Sequence, residues 1–216
     1  AIFSTSCYLE FWLINWLASC QSLSLPSRQI LLRPQYNREL FACSGSGIEQ
    51  EVVSSIGKKV RGGNIVLKLD MSKAYDRVSW LHNIGVLRKF GFGEQFIDLV
   101  WRLFCNIWFS VIINDSSYGF FKSTRGLRQG DPLSPALFII GSEVLSRGLN
   151  NLALQPGFLG FRVPYGCPPV THLAFADDVL IFANGSVSSL KDIMQVLEGY
   201  QECSGQLINA QKSGYL

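Results

Sequence analysis

The sequence predicts an α+β fold in which an antiparallel sheet carries helices on one face and leaves its other face free. The order of the segments supports this prediction: strand, helices, hairpin, helix, strand–turn–strand and helix. Of the 216 residues, 48% are hydrophobic and 16% are charged. Such a chain can form a substantial core, which excludes an intrinsically disordered protein.

The charge balance and the cysteines exclude further classes of protein. With 19 Lys and Arg against 16 Asp and Glu, the chain is too weakly basic to indicate a nucleic-acid partner by charge alone. The cysteines lie far apart without a Cys-x-x-Cys pair, so we interpret them as reduced, mostly buried thiols and expect neither a zinc site nor a disulfide framework. They are Cys7, Cys20, Cys43, Cys105, Cys167 and Cys203.

The first twenty residues do not have the pattern of a targeting signal. They are apolar and aromatic, but they include Glu10, lack the basic start of a signal peptide and are too interrupted for a membrane span. We therefore expect a protein that is not secreted, does not associate with a membrane and stays inside the cell, in the nucleus or the cytoplasm.

Residues 1–46 differ from the remainder of the chain because they show no sustained periodicity and no helix caps. After Gly47 every segment has a clear pattern. We therefore divide the chain into an unmatched segment, 1–46, and a folded region, 47–216. Our hypothesis for the first segment is a frameshift or a false exon, and such a segment would be poorly ordered.

The first elements of the folded region are two helices around a strand, followed by a third helix. The pattern predicts a helix at Glu49–Val60, a strand at Ile65–Asp70 with Asp70 on the face opposite the core, and a helix at Trp80–Phe90 that ends at Gly91. A further packing helix is predicted at Glu94–Cys105. Its expected apolar face consists of Phe96, Leu99, Val100, Leu103 and Phe104.

A hairpin and a long helix follow. Phe109–Ile113 and Tyr118–Phe121 are predicted strands joined by the four residues Asn114–Ser117. A loop rich in glycine, arginine and proline covers Arg125–Pro135 and leads into a predicted helix at Ala136–Leu149.

The last part of the chain combines a second hairpin with a final helix. Two apolar runs, Thr171–Ala176 and Val179–Ala183, predict a strand, a tight turn and a returning strand. The final helix is predicted at Val187–Cys203 and ends at Gly205. Its expected packing face consists of Leu190, Ile193, Met194 and Leu197.

Two adjacent aspartates, Asp177 and Asp178, lie in the middle of this apolar hairpin. Neighbouring carboxylates repel each other and resist desolvation unless a cation neutralises them, and hard oxygen ligands suit Mg²⁺ or Mn²⁺. Asp70, at the end of an earlier apolar strand, is the candidate third ligand in a site for two ions. The alternative is a solvated turn in which the two acidic residues have no further role.

Three sequence strings carry a resemblance to a known family. They are Leu69–Val78 (LDMSKAYDRV), Arg125–Pro135 (RGLRQGDPLSP) and His172–Asp178 (HLAFADD). In this order they resemble the three successive palm motifs of plant-type non-LTR (LINE-like) retrotransposon reverse transcriptases, and Gly205–Ser213 resembles the motif that follows the catalytic hairpin. The resemblance covers 47–216. It implies a polymerase palm with a ferredoxin-like core, incomplete fingers and no thumb.

For the reaction centre, the resemblance implies that Asp70 and Asp177 bind two Mg²⁺ (or Mn²⁺) ions, with Asp178 as an accessory ligand. Tyr75 would lie under the sugar of the incoming nucleotide and select deoxynucleotides, the alternative being an aromatic core residue. Backbone N–H groups around Ser72, Lys73 and Ala74 would face the triphosphate.

The resemblance also assigns residues outside the strands. Gln129 and Gly130 would let the loop backbone approach the template-primer and the incoming base pair, Gly130 because no side chain would fit there. Arg125 and Arg128 would contact phosphates, the alternative being ordinary solvated charges. Lys212 would be the proton donor to pyrophosphate, although a surface lysine fits equally well. His82 and His172 are expected to be structural.

The function implied is RNA-templated DNA synthesis, with an RNA template, a DNA primer and a deoxynucleoside triphosphate as partners. We expect weak or absent activity in this chain, because positioning supplies much of the rate and the expected grip on the duplex is incomplete. The alternatives are a non-enzymatic relic of a decayed retroelement and a nucleic-acid-binding module without catalysis. Telomerase and group II intron maturases share the aspartates, but the longer motifs fit retrotransposons better.

Overall fold

A computed structural model describes residues 62–163, 170–175 and 177–215. The unmatched segment 1–46 and the predicted helix Glu49–Val60 lie outside the described residues. The described elements are β1 (Asn64–Asp70), α1 (Ala74–Arg77), α2 (Trp80–Lys89), α3 (Glu94–Cys105), β2 (Trp108–Ile113), β3 (Ser116–Lys122), α4 (Ser134–Ala153), β4 (His172–Phe175), β5 (Asp178–Asn184), α5 (Val187–Ser204) and β6 (Gly214–Tyr215).

The main sheet has four antiparallel strands in the order β4-β5-β1-β6. β1 and β5 pair along their whole length, from Asn64 opposite Asn184 to Asp70 opposite Asp178. β4 pairs with β5 as the predicted tight hairpin. The predicted strands are confirmed, and β6 is an additional short strand that pairs with Lys68 and its neighbour in β1. A separate two-stranded sheet contains β2 and β3.

The helices α2, α4 and α5 pack together on one face of the sheet, over the side chains of Leu69, Val179 and Ile181. α2 and α5 end where the sequence predicts, since Gly91 and Gly205 follow with φ of +80° and +74°, a conformation that glycine adopts without strain. α4 is longer than predicted at both ends. A proline lies in its first turn, where N–H groups have no partner within the helix, so the missing N–H of proline costs no hydrogen bond.

The buried faces of two helices differ from the prediction. Leu99 in α3 and Met194 in α5 are 39% and 48% exposed, although both belong to the expected packing faces. In α5 the buried stripe instead includes Ser189, Ile193 and Tyr200. Helical periodicity locates a packing face only to within about one residue position, and the neighbouring elements decide which flank is covered.

Within residues 62–163, 170–175 and 177–215, the opposite face of the sheet is covered at one end, so the prediction of a free face is wrong for that end. There Val66, Phe182 and Phe161 form a second small core, in which the two phenylalanine rings meet edge to face. The loop that contributes Phe161 is attached to the start of β1 through Asn64, which exchanges two hydrogen bonds with the backbone of Arg162. Beyond this cover, no described residue packs over the face toward the end of β1.

The hairpin β2–β3 turns more tightly than predicted. Asn114 and Asp115 both have positive φ, 48° and 60°, and Ile113 pairs directly with Ser116. A two-residue turn with this geometry matches the twist of antiparallel strands. Large side chains on both strands are exposed, with Phe120 at 75% and Ile112 at 71%.

Two cysteines belong to the described part of the chain, and neither is buried. Cys105 is half-buried, Cys203 is exposed, and both are free thiols. The expectation of mostly buried thiols is therefore wrong for these two. Among the described helices, none combines the length and the apolar character that crossing a membrane requires.

Candidate active site

The candidate site lies at the open end of the sheet, where β1 and β5 meet. Asp70 is directly opposite Asp178 in the antiparallel register, so their side chains leave the sheet on the same face. The backbone N–H of Met71 donates to the carbonyl of Asp177 at 3.1 Å, which keeps the turn residue beside the end of β1. The fold thus brings Asp70 next to the consecutive aspartates Asp177 and Asp178, which lie more than a hundred residues later in the sequence.

The surroundings of these aspartates include a cation that the sequence analysis did not select. Lys68 Nζ lies 3.5 Å from Asp178 Oδ1, and both side chains are about half exposed. Lys68 precedes Asp70 by two residues in a strand, so the two side chains share a face. The sequence alone indicates that Lys68 and Asp70 share a face of the strand. It does not indicate the strand register that brings Lys68 close to Asp178.

The aspartate oxygens fit Mg²⁺ or Mn²⁺ by their chemistry, since hard cations prefer carboxylate ligands. In the described ranges, however, no three acidic, histidine or cysteine side chains form a ready metal-binding group. The backbone places Asp70, Asp177 and Asp178 close enough to converge, whereas the Asp178 carboxylate is paired with Lys68. Ion binding would therefore require these side chains to rotate toward one another.

The segment after α5 lies along the other edge of β1. The N–H of Asn209 donates to the carbonyl of Asp70 at 2.8 Å, and Ser213 Oγ accepts from the N–H of Asp70 at 3.2 Å. Lys212 lies in the turn between these two contacts, with its side chain exposed. The string Gly205–Ser213 is thus adjacent to the strand that ends at Asp70.

The residues after Asp70 form a turn into the short helix α1. Lys73 adopts a left-handed conformation, with φ of 48°, and Ala74 behind it is buried. The N–H of Ser72 donates to the carbonyl of Leu207 at 2.8 Å. This bond corrects the expectation for Ser72, whose N–H is already used within the protein. The backbone N–H groups of Lys73 and Ala74 remain candidates for an anionic ligand.

Tyr75 is half-buried next to this turn. Its ring stacks on Phe138 of α4, with centroids 4.8 Å apart and planes 7° from parallel. Its carbonyl accepts a hydrogen bond from the N–H of Leu127 at 2.8 Å. Phe138 is 6% exposed and was missed in the sequence, because a phenylalanine in an apolar helix has no distinguishing signal.

The loop before α4 is attached by hydrogen bonds to the residues that follow this turn. Gly126 donates to the carbonyl of Val78 at 2.8 Å and accepts from Trp80 Nε1 at 2.7 Å. Its φ is +91°, and a Cβ atom there would lie 2.7 Å from the carbonyl oxygen of Asp76. Gly126 is therefore the position in this loop where the protein itself excludes a side chain.

Gly130 differs from Gly126, because no atom of the described residues limits a side chain there. Its φ of +85° favours glycine, but a Cβ atom there would meet no atom within 4 Å. Gln129 beside it is exposed, as are Arg125 and Arg128, and no ion pair involves either arginine among the residues that the structure describes. These polar groups lie on the anchored loop and are accessible to a ligand.

The two histidines have structural contacts. His82 Nε2 lies 3.0 Å from the carbonyl oxygen of Gly141, which joins α2 to α4. His172 contacts Ser146 Oγ through Nε2 and Thr171 Oγ1 through Nδ1, both at 2.9 Å. Both histidines are therefore structural, as predicted.

An antiparallel sheet with helices on one face and aspartates at the end of adjacent strands is consistent with the polymerase palm that the sequence motifs predict. The family model described as reverse transcriptase (RNA-dependent DNA polymerase) matches residues 21–216. The chain belongs to this family. The match begins before Gly47, so it includes part of the segment for which inspection of the sequence found no resemblance.

Individual proteins show the same relationship. An uncharacterised mitochondrial protein of Arabidopsis thaliana is 51% identical over 75 residues, which are 34% of this chain and 61% of that protein. The retrovirus-related Pol polyprotein from type-2 retrotransposable element R2DM of Drosophila melanogaster is 32% identical over 147 residues, 68% of this chain and 13% of that protein. The second of these relatives is the Pol polyprotein of a retrotransposable element.

Among solved structures, apo telomerase from Candida tropicalis, truncated from its C-terminal domain, matches with a TM-score of 0.57 and 15% identity. The match covers 80% of this chain and 35% of the telomerase chain. At this identity it shows the shared fold alone. The chain spans only a fraction of the relatives that it matches, so activities of the longer proteins do not transfer to it directly.

Proposed function

We propose that the chain is the palm region of a non-LTR retrotransposon reverse transcriptase and that its site supports RNA-templated DNA synthesis. The observation that carries this proposal is the register of β1 and β5, which places Asp70 opposite Asp178 and next to Asp177 at the open end of the sheet. The partners we propose are an RNA template, a DNA primer and a deoxynucleoside triphosphate. These substrates imply an intracellular location, nuclear or cytoplasmic.

In the proposed reaction the primer 3′-oxygen attacks the α-phosphorus of the nucleotide, a new P–O bond forms, and the bond to pyrophosphate breaks. Asp70 and Asp177 would hold two Mg²⁺ or Mn²⁺ ions, with Asp178 as an accessory ligand. When bound, the ions neutralise charge on the attacking and leaving oxygens. Lys68 would release Asp178, and Lys212 would donate a proton to the departing pyrophosphate.

The surrounding residues would position the nucleotide and the nucleic acid. The Tyr75 ring, held by Phe138, would leave no room for a 2′-hydroxyl and so select deoxynucleotides. The amides of Lys73 and Ala74 would face the triphosphate. On the anchored loop, Gln129 and Gly130 would approach the base pair, and Arg125 and Arg128, both exposed, would contact phosphates.

Primer extension tests the proposal with a poly(rA) template, an oligo(dT) primer and Mg²⁺ or Mn²⁺. The expected result is slow extension, since the grip on the duplex is incomplete. A chelator should abolish it, and Asp177→Asn should reduce it at least about a hundredfold, because electrostatic stabilisation is usually the largest contribution to such a reaction. Asp115→Asn is the matched control, since it removes the same charge from the exposed tip of the β2–β3 hairpin.

Mn²⁺ binding, followed by electron paramagnetic resonance, gives a readout that does not depend on turnover. We expect Asp177→Asn to weaken Mn²⁺ binding and Asp115→Asn to leave it unchanged. Extension that survives Asp177→Asn at full rate would contradict the assignment. Retained binding of template-primer without any extension would instead favour the alternative of a nucleic-acid-binding module.

A further inference from the structure

A buried polar pair lies directly behind the turn that carries Tyr75. Tyr200 at the end of α5 is 4% exposed and Gln206, just after the helix, is 3% exposed. The Tyr200 hydroxyl donates to Gln206 Oε1 at 2.6 Å, and Gln206 Nε2 donates to the carbonyl of Ala74 at 3.2 Å. The pair thus connects α5 to a backbone carbonyl 132 residues earlier in the chain.

The chemistry of the groups determines the direction of both bonds. The Ala74 carbonyl can only accept, so the Gln206 amide must present its NH₂ group to it. The amide oxygen then faces Tyr200, whose hydroxyl must donate. Burial raises the pKa of Tyr200, which keeps the hydroxyl protonated and available as the donor.

The bond to Ala74 acts on the peptide that leads into Tyr75. The carbonyl of Ala74 and the N–H of Tyr75 belong to one planar peptide group, and the next carbonyl, that of Tyr75, accepts from Leu127. Both peptide groups flanking the Tyr75 Cα atom are therefore held by long-range hydrogen bonds. Their orientation determines the direction of the Cα–Cβ bond and hence the starting position of the ring.

Packing alone does not require this arrangement. A buried amide and a buried hydroxyl lose their hydration, whereas apolar side chains of similar size would fill the same volume without that loss. The pair supplies a directional contact to the Ala74 carbonyl, which an apolar side chain does not. The pair lies beside the proposed nucleotide site, where a directional contact can fix the orientation of the backbone that carries Tyr75.

We propose that Gln206, oriented by Tyr200, is a positioning residue that fixes the Tyr75 peptide and thereby sets the discrimination between deoxyribonucleotides and ribonucleotides. The inference rests on the proposed function, in which the Tyr75 ring excludes the 2′-hydroxyl. Gln206 does not contact the nucleotide in this role, and it acts only through the backbone that it holds.

The test compares incorporation of dUTP and UTP opposite a poly(rA) template, because these nucleotides differ only at the 2′ position. In Gln206→Met and in Tyr200→Phe we expect the preference for dUTP to fall by about two- to tenfold, the range set by one net hydrogen bond. The fall should come mainly from better use of UTP, with dUTP incorporation retained.

A matched control destabilises α5 from its other end. Ser186 caps this helix by accepting from the N–H of Ser189, and Ser186→Ala removes the cap without touching the Tyr75 turn. This variant should unfold more easily and keep the wild-type preference. The double variant Gln206→Met with Tyr200→Phe removes both polar partners, so it should recover stability relative to the single variant Gln206→Met but not the preference.

If the wild-type chain prefers dUTP over UTP and both Gln206→Met and Tyr200→Phe keep the same preference, the positioning role is overturned and the proposed function is left standing. An equal loss of preference in Ser186→Ala would overturn it as well, because the effect would then follow stability. A wild-type chain that incorporates both nucleotides equally overturns the selection assigned to Tyr75, and this inference with it, but leaves the proposed polymerase function standing. A wild-type chain that incorporates neither nucleotide overturns the proposed function as well.

Discussion

The site end of the sheet and the β2–β3 hairpin differ in how they are held. Around Asp70 and Tyr75, backbone groups bond to residues more than 40 positions away, including Gly126 and Asn209. The hairpin is held by its own strand pairing and by a tight turn at Asn114, and its large side chains are exposed. The contacts described for the hairpin are local, whereas the site depends on contacts between segments far apart in the chain.

The largest contrast is expected from shortening one isoleucine in each region. Ile181 of β5 is 2% exposed beneath the site, and Ile112 of β2 is 71% exposed. Ile181→Ala should lower the free energy of unfolding by about 2–5 kcal/mol, because it removes buried contacts and leaves a cavity. Ile112→Ala should change it by no more than about 0.5 kcal/mol. Urea denaturation followed by circular dichroism measures both, and similar losses would show that the hairpin is packed in solution.

A smaller contrast is expected from two glycines with positive φ. Gly126→Ala combines a left-handed backbone with a contact to the Asp76 carbonyl and should lower the free energy of unfolding by more than about 2 kcal/mol. Gly119→Ala on the hairpin, with φ of +69° and open space around its Cβ position, should lower it by about 1–2 kcal/mol. Thermal unfolding of the two variants measures the difference, and a Gly119 variant at least as destabilised would contradict the close contact at Gly126.

The smallest effect concerns the cation beside the aspartates. Lys68→Gln frees Asp178 and should strengthen Mn²⁺ binding by about two- to fivefold, the range expected for a half-exposed ion pair. Lys122→Gln changes the net charge equally on the hairpin, where Lys122 lies over the Trp108 ring, and serves as the control. Titration followed by electron paramagnetic resonance compares them. If Mn²⁺ affinity changes equally in Lys68→Gln and Lys122→Gln, the net charge of the protein governs this affinity and the ion pair with Asp178 does not.

Several elements could be predicted from sequence because their signals are local. The alternation of apolar residues in β1 assigns Asp70 to the face away from the helices, and the structure agrees. Gly91 and Gly205 mark helix ends because glycine adopts positive φ without strain. The glycine and proline content of the loop before α4 marked it as irregular, but its attachment to Val78 and Trp80 was not evident.

By itself, the sequence determined the kind and order of the elements and the presence of three palm motifs, since periodicity and motif spacing are properties of neighbouring residues. Only the tertiary structure decided that Lys68 pairs with Asp178, that Gly126 rather than Gly130 has a side chain excluded by the protein, and that Gln206 holds the Ala74 carbonyl. These contacts depend on strand register and on the approach of segments far apart in the chain. Such distances follow from the packing of the whole core, which no local pattern encodes.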